Sequence, residues 1–162
     1  MNIGVLSAVS LLVIAACWTD FKLMQIPNRL NVLFMGGGLL YQSLSDGLSG
    51  MAFAAAGAAA GMLPLLLMYW FGGIGGGDVK WFGAFGVWMG PAYTLQLLVI
   101  SILFAGSISV VLLILRVPLL RTLAGRIKWP WGAHPLSLGR GTQFPFMLAV
   151  APGYIILLGK GW

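Results

Sequence analysis

The chain has 162 residues, 60% of them apolar and only 7% charged, against roughly a quarter charged in a soluble domain, so it cannot cover a water-facing surface. Nine Lys or Arg stand against three acids; with no basic cluster interleaved with exposed aromatics, that excess is assigned to membrane topology and not to a nucleic-acid partner. The single cysteine, Cys17, excludes an intrachain disulfide and a Cys-rich zinc site.

At roughly 20 apolar residues per bilayer crossing, the composition predicts an all-α polytopic membrane protein. About six transmembrane helices fill one membrane-embedded domain over residues 1–162. Between breakers and charges the apolar runs fall at 3–18, 30–44, 51–72, 79–90, 93–117 and 144–158. The first run contains Ile14-Ala15-Ala16-Cys17, a likeness of a lipoprotein cleavage box. Residues 1–13 carry no Lys or Arg, whereas a secretory signal begins with a positive region, so the run is read as a retained helix. Gly36-Gly37-Gly38 in the second run, Gly57 and Gly61 in the third, and Gly83, Gly86 and Gly90 in the fourth are read as small residues that let helix backbones approach closely.

The fourth run is shorter than the roughly 17 residues needed to span unaided, which admits a re-entrant reading. Charge decides against it. With six crossings, Lys22, Arg29, Lys80, Arg116, Arg121, Arg126, Lys128 and Arg140 share one side and Lys160 alone lies on the other. The basic side is then the cytoplasm, with both termini outside. Residues 116–143 read as one cytoplasmic loop, whose charges satisfy topology and touch anionic lipid, and His134 as a solvated loop residue.

The acids are Asp20, Asp46 and Asp78, with no glutamate. Asp46, in Ser45-Asp46-Gly47, reads as a solvated turn residue. Asp20 and Asp78 each sit at the cytoplasmic edge of an apolar run, where an ionised carboxylate loses hydration and a functional role is the default suspicion. Taken singly, each also fits a purely structural reading, in which it pairs with its neighbour, Lys22 or Lys80, and anchors a helix end. Together they lie on one side of the membrane at similar depth, and two carboxylates within reach share a proton as a coupled pair. That is the chemistry of aspartyl proteolysis, one group acting as base toward a water and the other as acid toward the scissile carbonyl. Gly72-Gly73-Ile74-Gly75-Gly76-Gly77 leads into Asp78 as backbone almost without side chains, against which an extended peptide could lie.

Gly75-Gly76-Gly77-Asp78-Val79-Lys80 resembles the GxGD motif of intramembrane aspartyl proteases, in the form typical of bacterial prepilin peptidases. Asp20, followed by Phe21-Lys22 and then Ile26-Pro27-Asn28, resembles the segment of that family in which an aspartate precedes an Ile-Pro-Asn stretch. Phe144-Pro145-Phe146, followed by small residues and Gly153, is a weaker match. The resemblance implies a GxGD aspartyl protease-like bundle in the bacterial inner membrane. It implies Asp20 and Asp78 as catalytic residues, and Gly75, Gly76, Gly77, Lys80, Pro27 and Asn28 as substrate-binding or positioning residues. In that reading Pro27 starts the second helix, Asn28 bonds the turn that positions Asp20, and Lys80 either biases the charge of the dyad or snorkels as an anchor. No metal or cofactor is implied. The implied substrate is a prepilin or pseudopilin precursor, cut at the cytoplasmic membrane edge where its leader meets its apolar segment.

Long-form prepilin peptidases carry a Cys-rich cytoplasmic segment, associated with N-methylation, between their first two helices. Here that connection is expected to be about ten residues and lacks the cysteines, which resembles the short peptidases of tight-adherence (Flp-type) pili or of a similarly minimal secretion system. Presenilin-like enzymes pair GxGD with a Tyr-Asp motif, whereas Asp20 follows Thr19. Outside the protease class, a small proton-coupled transporter using Asp20 and Asp78, or a catalytically inert pilus or secretion assembly subunit, would also use such a chain.

Overall fold

The computed structural model describes residues 2–114 and 144–159. The basic stretch 116–143, with His134, and the terminal Lys160 and Trp162 lie outside the described residues. Within them every regular element is helical: α1 Ile3–Leu23, α2 Asn28–Trp70, α3 Gly76–Ile114 and α4 Met147–Gly159. The first three are long and apolar enough to cross a membrane, and α4 is a shorter apolar helix.

Two of these helices are folded back on themselves. In α2 the backbone of Gly47 turns to φ 58°, ψ −131°, outside the helical region and open to glycine. A Cβ on Gly50 would collide with the Gln42 carbonyl, although eight residues of straight helix would hold them about 12 Å apart. In α3 the break is Gly90 (φ 73°) followed by Pro91, which cannot continue the helical hydrogen-bond ladder. Gly61 accordingly meets both Phe82 and Thr94, which a straight helix would separate by about 18 Å. The described residues therefore form helical segments 3–23, 28–46, 48–70, 76–89, 91–114 and 147–159.

Segment 76–89 is the axis of the bundle. Every residue from Trp81 to Val87 is buried, as expected of a helix apolar on all faces. Each half of α2 presents it a helical stripe: Asn31, Phe34, Gly38 and Gln42 from the first, and Gly50, Ala54, Gly57, Gly61 and Leu65 from the second. Gly57 and Gly86 cross so closely that a Cβ on either would strike the other's carbonyl. Gly61 and Gly83 also lie at tight contacts, and Gly38 packs under Trp88. Gly36 differs from its expectation, since a side chain there would meet nothing.

Helix α1 buries Val5, Val9, Leu12, Val13, Ala16 and Asp20, a single stripe with spacings of three and four. That face packs on α3 and α4, where Ser10 and Tyr154 share a 2.8 Å hydrogen bond. Large apolar side chains such as Leu40, Leu44, Leu63, Trp70 and Ile155 face outward, a surface that hydrocarbon solvates and water does not.

Candidate active site

Asp20 lies in the last turn of α1, not beyond its end: the helix runs on from Trp18 to Leu23. It stands four residues after Ala16 and seven after Val13, so the periodicity that buries the α1 stripe also turns its carboxylate inward, and the residue is 4% exposed. Met24 closes the helix in the left-handed conformation (φ 51°), its N–H donating to the Asp20 carbonyl at 2.9 Å. For a non-glycine residue that geometry costs about 1–2 kcal/mol, and it turns residues 24–27 directly past the Asp20 side chain. The connection from α1 to α2 is thus four residues, 24–27, and not the ten or so expected, because the helix continues through Asp20.

Asp78 arrives from the other side. Gly76 and Gly77 already belong to the first turn of α3, and the Asp78 and Val79 amides donate to the Gly75 carbonyl at 3.1 and 3.4 Å. The glycine stretch is therefore not extended: it begins as a turn that closes α2, with Gly72 at φ 72° and the Gly73 N–H donating to the Met68 carbonyl at 2.9 Å, while Gly75 to Gly77 serve close approach. A Cβ on Gly75 would stand 3.1 Å from Asp78 Oδ2, and one on Gly77 3.5 Å from the backbone of Ile26. Asp78 precedes Phe82, Phe85 and Met89 at spacings of four, seven and eleven, which puts it on the face that α3 buries.

The two carboxylates lie at one end of the bundle, where both line the same two clefts. One, of about 450 Å³, is lined by Asp20, Asp78, Gln25, Ile26, Pro27, Asn28 and the glycines 75–77. The other, of about 420 Å³, is lined by Asp20, Asp78, the 72–75 backbone, Phe144 and Phe146. Both clefts share Asp20, Met24, Gly75 and Asp78, so the acids sit where the two grooves join. A chain lying in both grooves would cross the carboxylates.

The neighbouring lysines are engaged elsewhere. Lys22 Nζ lies 4.2 Å from the centroid of the Trp18 ring, and Lys80 Nζ donates to Asn28 Oδ1 at 2.9 Å. Asn28 therefore ties the start of α2 to the start of α3, where sequence reasoning had it bonding the turn beside Asp20. Pro27, at φ −62°, is the N-cap of α2. Buried Asn31 adds a longer link, Nδ2 to the Gly77 carbonyl at 3.4 Å. Asp46 is exposed at the Gly47 reversal, about 27 Å along the helix from Asn28. Its distance from the clefts agrees with a turn residue.

One partner of Asp20 was not anticipated. The backbone N–H of Met147, the first residue of α4, donates to Asp20 Oδ2 at 2.9 Å. A side-chain pattern cannot announce a contact made by backbone 127 residues away. Phe144-Pro145-Phe146 was the available signal, since a proline before an apolar run marks a helix start.

The profile of the type IV leader peptidase family matches residues 7–111, a stretch that holds both aspartates and both helix reversals. This chain belongs to that family. Among curated relatives, the prepilin leader peptidase/N-methyltransferase of Aeromonas hydrophila is 32% identical over 122 residues, 70% of this chain and 42% of that protein. The protein of the same name from Bacillus subtilis (strain 168) is 36% identical over 85 residues, 51% of this chain and 33% of that protein. The match thus spans less than half the length of these relatives. No solved structure matches the chain.

Proposed function

We propose that this member of the leader peptidase family is a membrane aspartyl endopeptidase that removes the leader from prepilin-like precursors, with Asp20 and Asp78 as its dyad. The observation that carries the reading is the meeting of the two aspartates, from α1 and α3, at the junction of two clefts. A peptide bond held there has one carboxylate to take a proton from water. The resulting hydroxide oxygen bonds to the scissile carbonyl carbon, while the other carboxyl gives its proton to the carbonyl oxygen. As the tetrahedral intermediate collapses, the proton taken from water passes to the departing nitrogen and the C–N bond breaks. The carbonyl-oxygen proton returns to the second aspartate. Gly75, Gly76 and Gly77 leave backbone open to the substrate chain, and Pro27, Asn28 and Lys80 hold the cleft rim.

The chain crosses a bacterial inner membrane six times in this reading, with both termini outside and the dyad facing the cytoplasm. Segment 76–89 is about 21 Å long, short of the roughly 30 Å hydrocarbon layer. The burial of every residue from Trp81 to Val87 in protein supports a crossing all the same, because non-helical backbone at membrane depth is tolerated where protein buries it or a wet cleft borders it. A reporter active only outside the cytoplasm is expected to be silent after Thr122 and active after Asp46 or Trp162. A signal from the Thr122 fusion defeats the topology.

The four-residue α1–α2 connection carries no cysteine, which supports a cleaving enzyme that does not methylate, like the short peptidases of tight-adherence pili. Mature pilin made in a host without another prepilin peptidase is expected to keep a free N-terminal amine, read by mass spectrometry. One added methyl group contradicts this. Cleavage itself is tested by co-expression with pilin precursors encoded in the same genome: a gel shift with the wild-type chain supports the function, and no shift with any of them refutes it.

A further inference from the structure

We propose that the backbone amide of Met147, at the head of α4, is a positioning group that holds Asp20 in register with Asp78. The inference rests on Asp20 being catalytic. The Met147 N–H reaches Asp20 Oδ2 at 2.9 Å in a buried contact. As the first helical residue, Met147 has an N–H that α4 itself does not use, so this donor is committed to the carboxylate at no expense to the helix. The turn that presents it is well fixed. Leu148 and Ala149 donate to the Pro145 and Phe146 carbonyls at 3.1 and 2.9 Å, the Met147 side chain is fully buried, and Phe146 packs on Phe82 with ring centroids 6.3 Å apart. Asp20 lies in the last turn of α1, four residues before Met24 leaves the helical conformation, so the Met147 N–H adds a tie to the carboxylate from a second helix. Phe144 and Phe146 also wall the second cleft, which makes the same turn part of the surface a substrate chain would touch. Residues 144–147 lie beyond the 7–111 stretch that the family profile matches. The geometry therefore assigns a role in the active site to a segment outside it.

The test exchanges the residue 147 amide for an ester, using the α-hydroxy acid with a leucine side chain, and compares it with Met147→Leu. A second ester at residue 148 removes the Leu148 N–H bond to Pro145 within the same turn and leaves the Asp20 bond intact. Cleavage of a synthetic peptide spanning the leader junction of a pilin precursor from the same genome is followed per inserted molecule. The 147 ester is expected to lower kcat about tenfold or more with KM within about twofold, as for loss of one hydrogen bond to a charged group that acts in the transition state. The 148 ester should match Met147→Leu. Met147→Pro, which removes the same N–H at a helix position that accepts proline, should reproduce the kcat-selective loss. Equal kcat for the 147 ester and Met147→Leu, or equal losses from the two esters, overturns the proposal. Activity in Asp20→Asn instead overturns the catalytic reading of Asp20, so the two failures are distinguishable.

Discussion

Asp20→Asn and Asp78→Asn are each expected to abolish leader cleavage, by on the order of 10³-fold or more, because an amide keeps the size of the carboxyl group but cannot exchange a proton. The double variant should be scarcely slower than either single one, since two groups that serve one step are lost together at the first substitution. Asp46→Asn, at the opposite reversal, should cleave normally. The geometry makes the comparison clean. The structure engages Lys22 with Trp18 and Lys80 with Asn28, so losing either carboxylate does not strip a lysine of the partner shown for it. Immunoblots of the membrane fraction establish equal amounts, and precursor processing reads activity. Wild-type rates from a well-inserted single variant would sink the dyad.

The second large effect falls on the fold. Gly86→Leu and Gly57→Leu are each expected to prevent stable accumulation, because the two residues cross with backbone against backbone and a Cβ on one strikes the other's carbonyl. No flexible side chain is available to yield, so the helices must separate. That removes the contact between 48–70 and the enclosed segment 76–89, at a cost of about 3 kcal/mol or more. Gly36→Ala and Gly106→Ala provide the contrast, since a side chain at either meets nothing, and surface changes of that kind stay within about 0.5 kcal/mol. Thermal aggregation of the detergent-solubilised protein, with immunoblots, reads the difference. Normal stability for Gly86→Leu contradicts the crossing.

Much of this arrangement was legible in the sequence because it is written in side chains. The breaks at Gly47 and Gly90 fall where turn residues and shortened runs had divided the chain. Asp20 shares the three- and four-residue spacing of Val9, Val13 and Ala16, and Asp78 that of Phe82 and Phe85, so their inward direction follows from helical period alone. The glycine pairs were readable only as a class. Gly57 and Gly86 lie at a crossing and Gly36 does not, and the difference depends on which helix lies opposite. The run 79–90 is short for a span by length alone, and a sequence window does not show that its helix starts at Gly76 or that protein encloses residues 81–87. Asn28 and Lys80 were assigned separately, but the bond between them requires α2 and α3 to start side by side, a fact of tertiary structure. Least legible was the Met147 amide, because every residue except proline carries an N–H.

The proposal at the centre is cleavage of a leader peptide by Asp20 and Asp78 of this chain. The most direct test is to purify it into lipid nanodiscs, add a pilin precursor from the same genome, and weigh the products by mass spectrometry, with the Asp78→Asn chain treated identically. One cut is expected where the leader meets the apolar segment, made by the wild-type chain and absent from the variant. An intact precursor after incubation with folded wild-type chain, or equal cleavage by the variant, contradicts it.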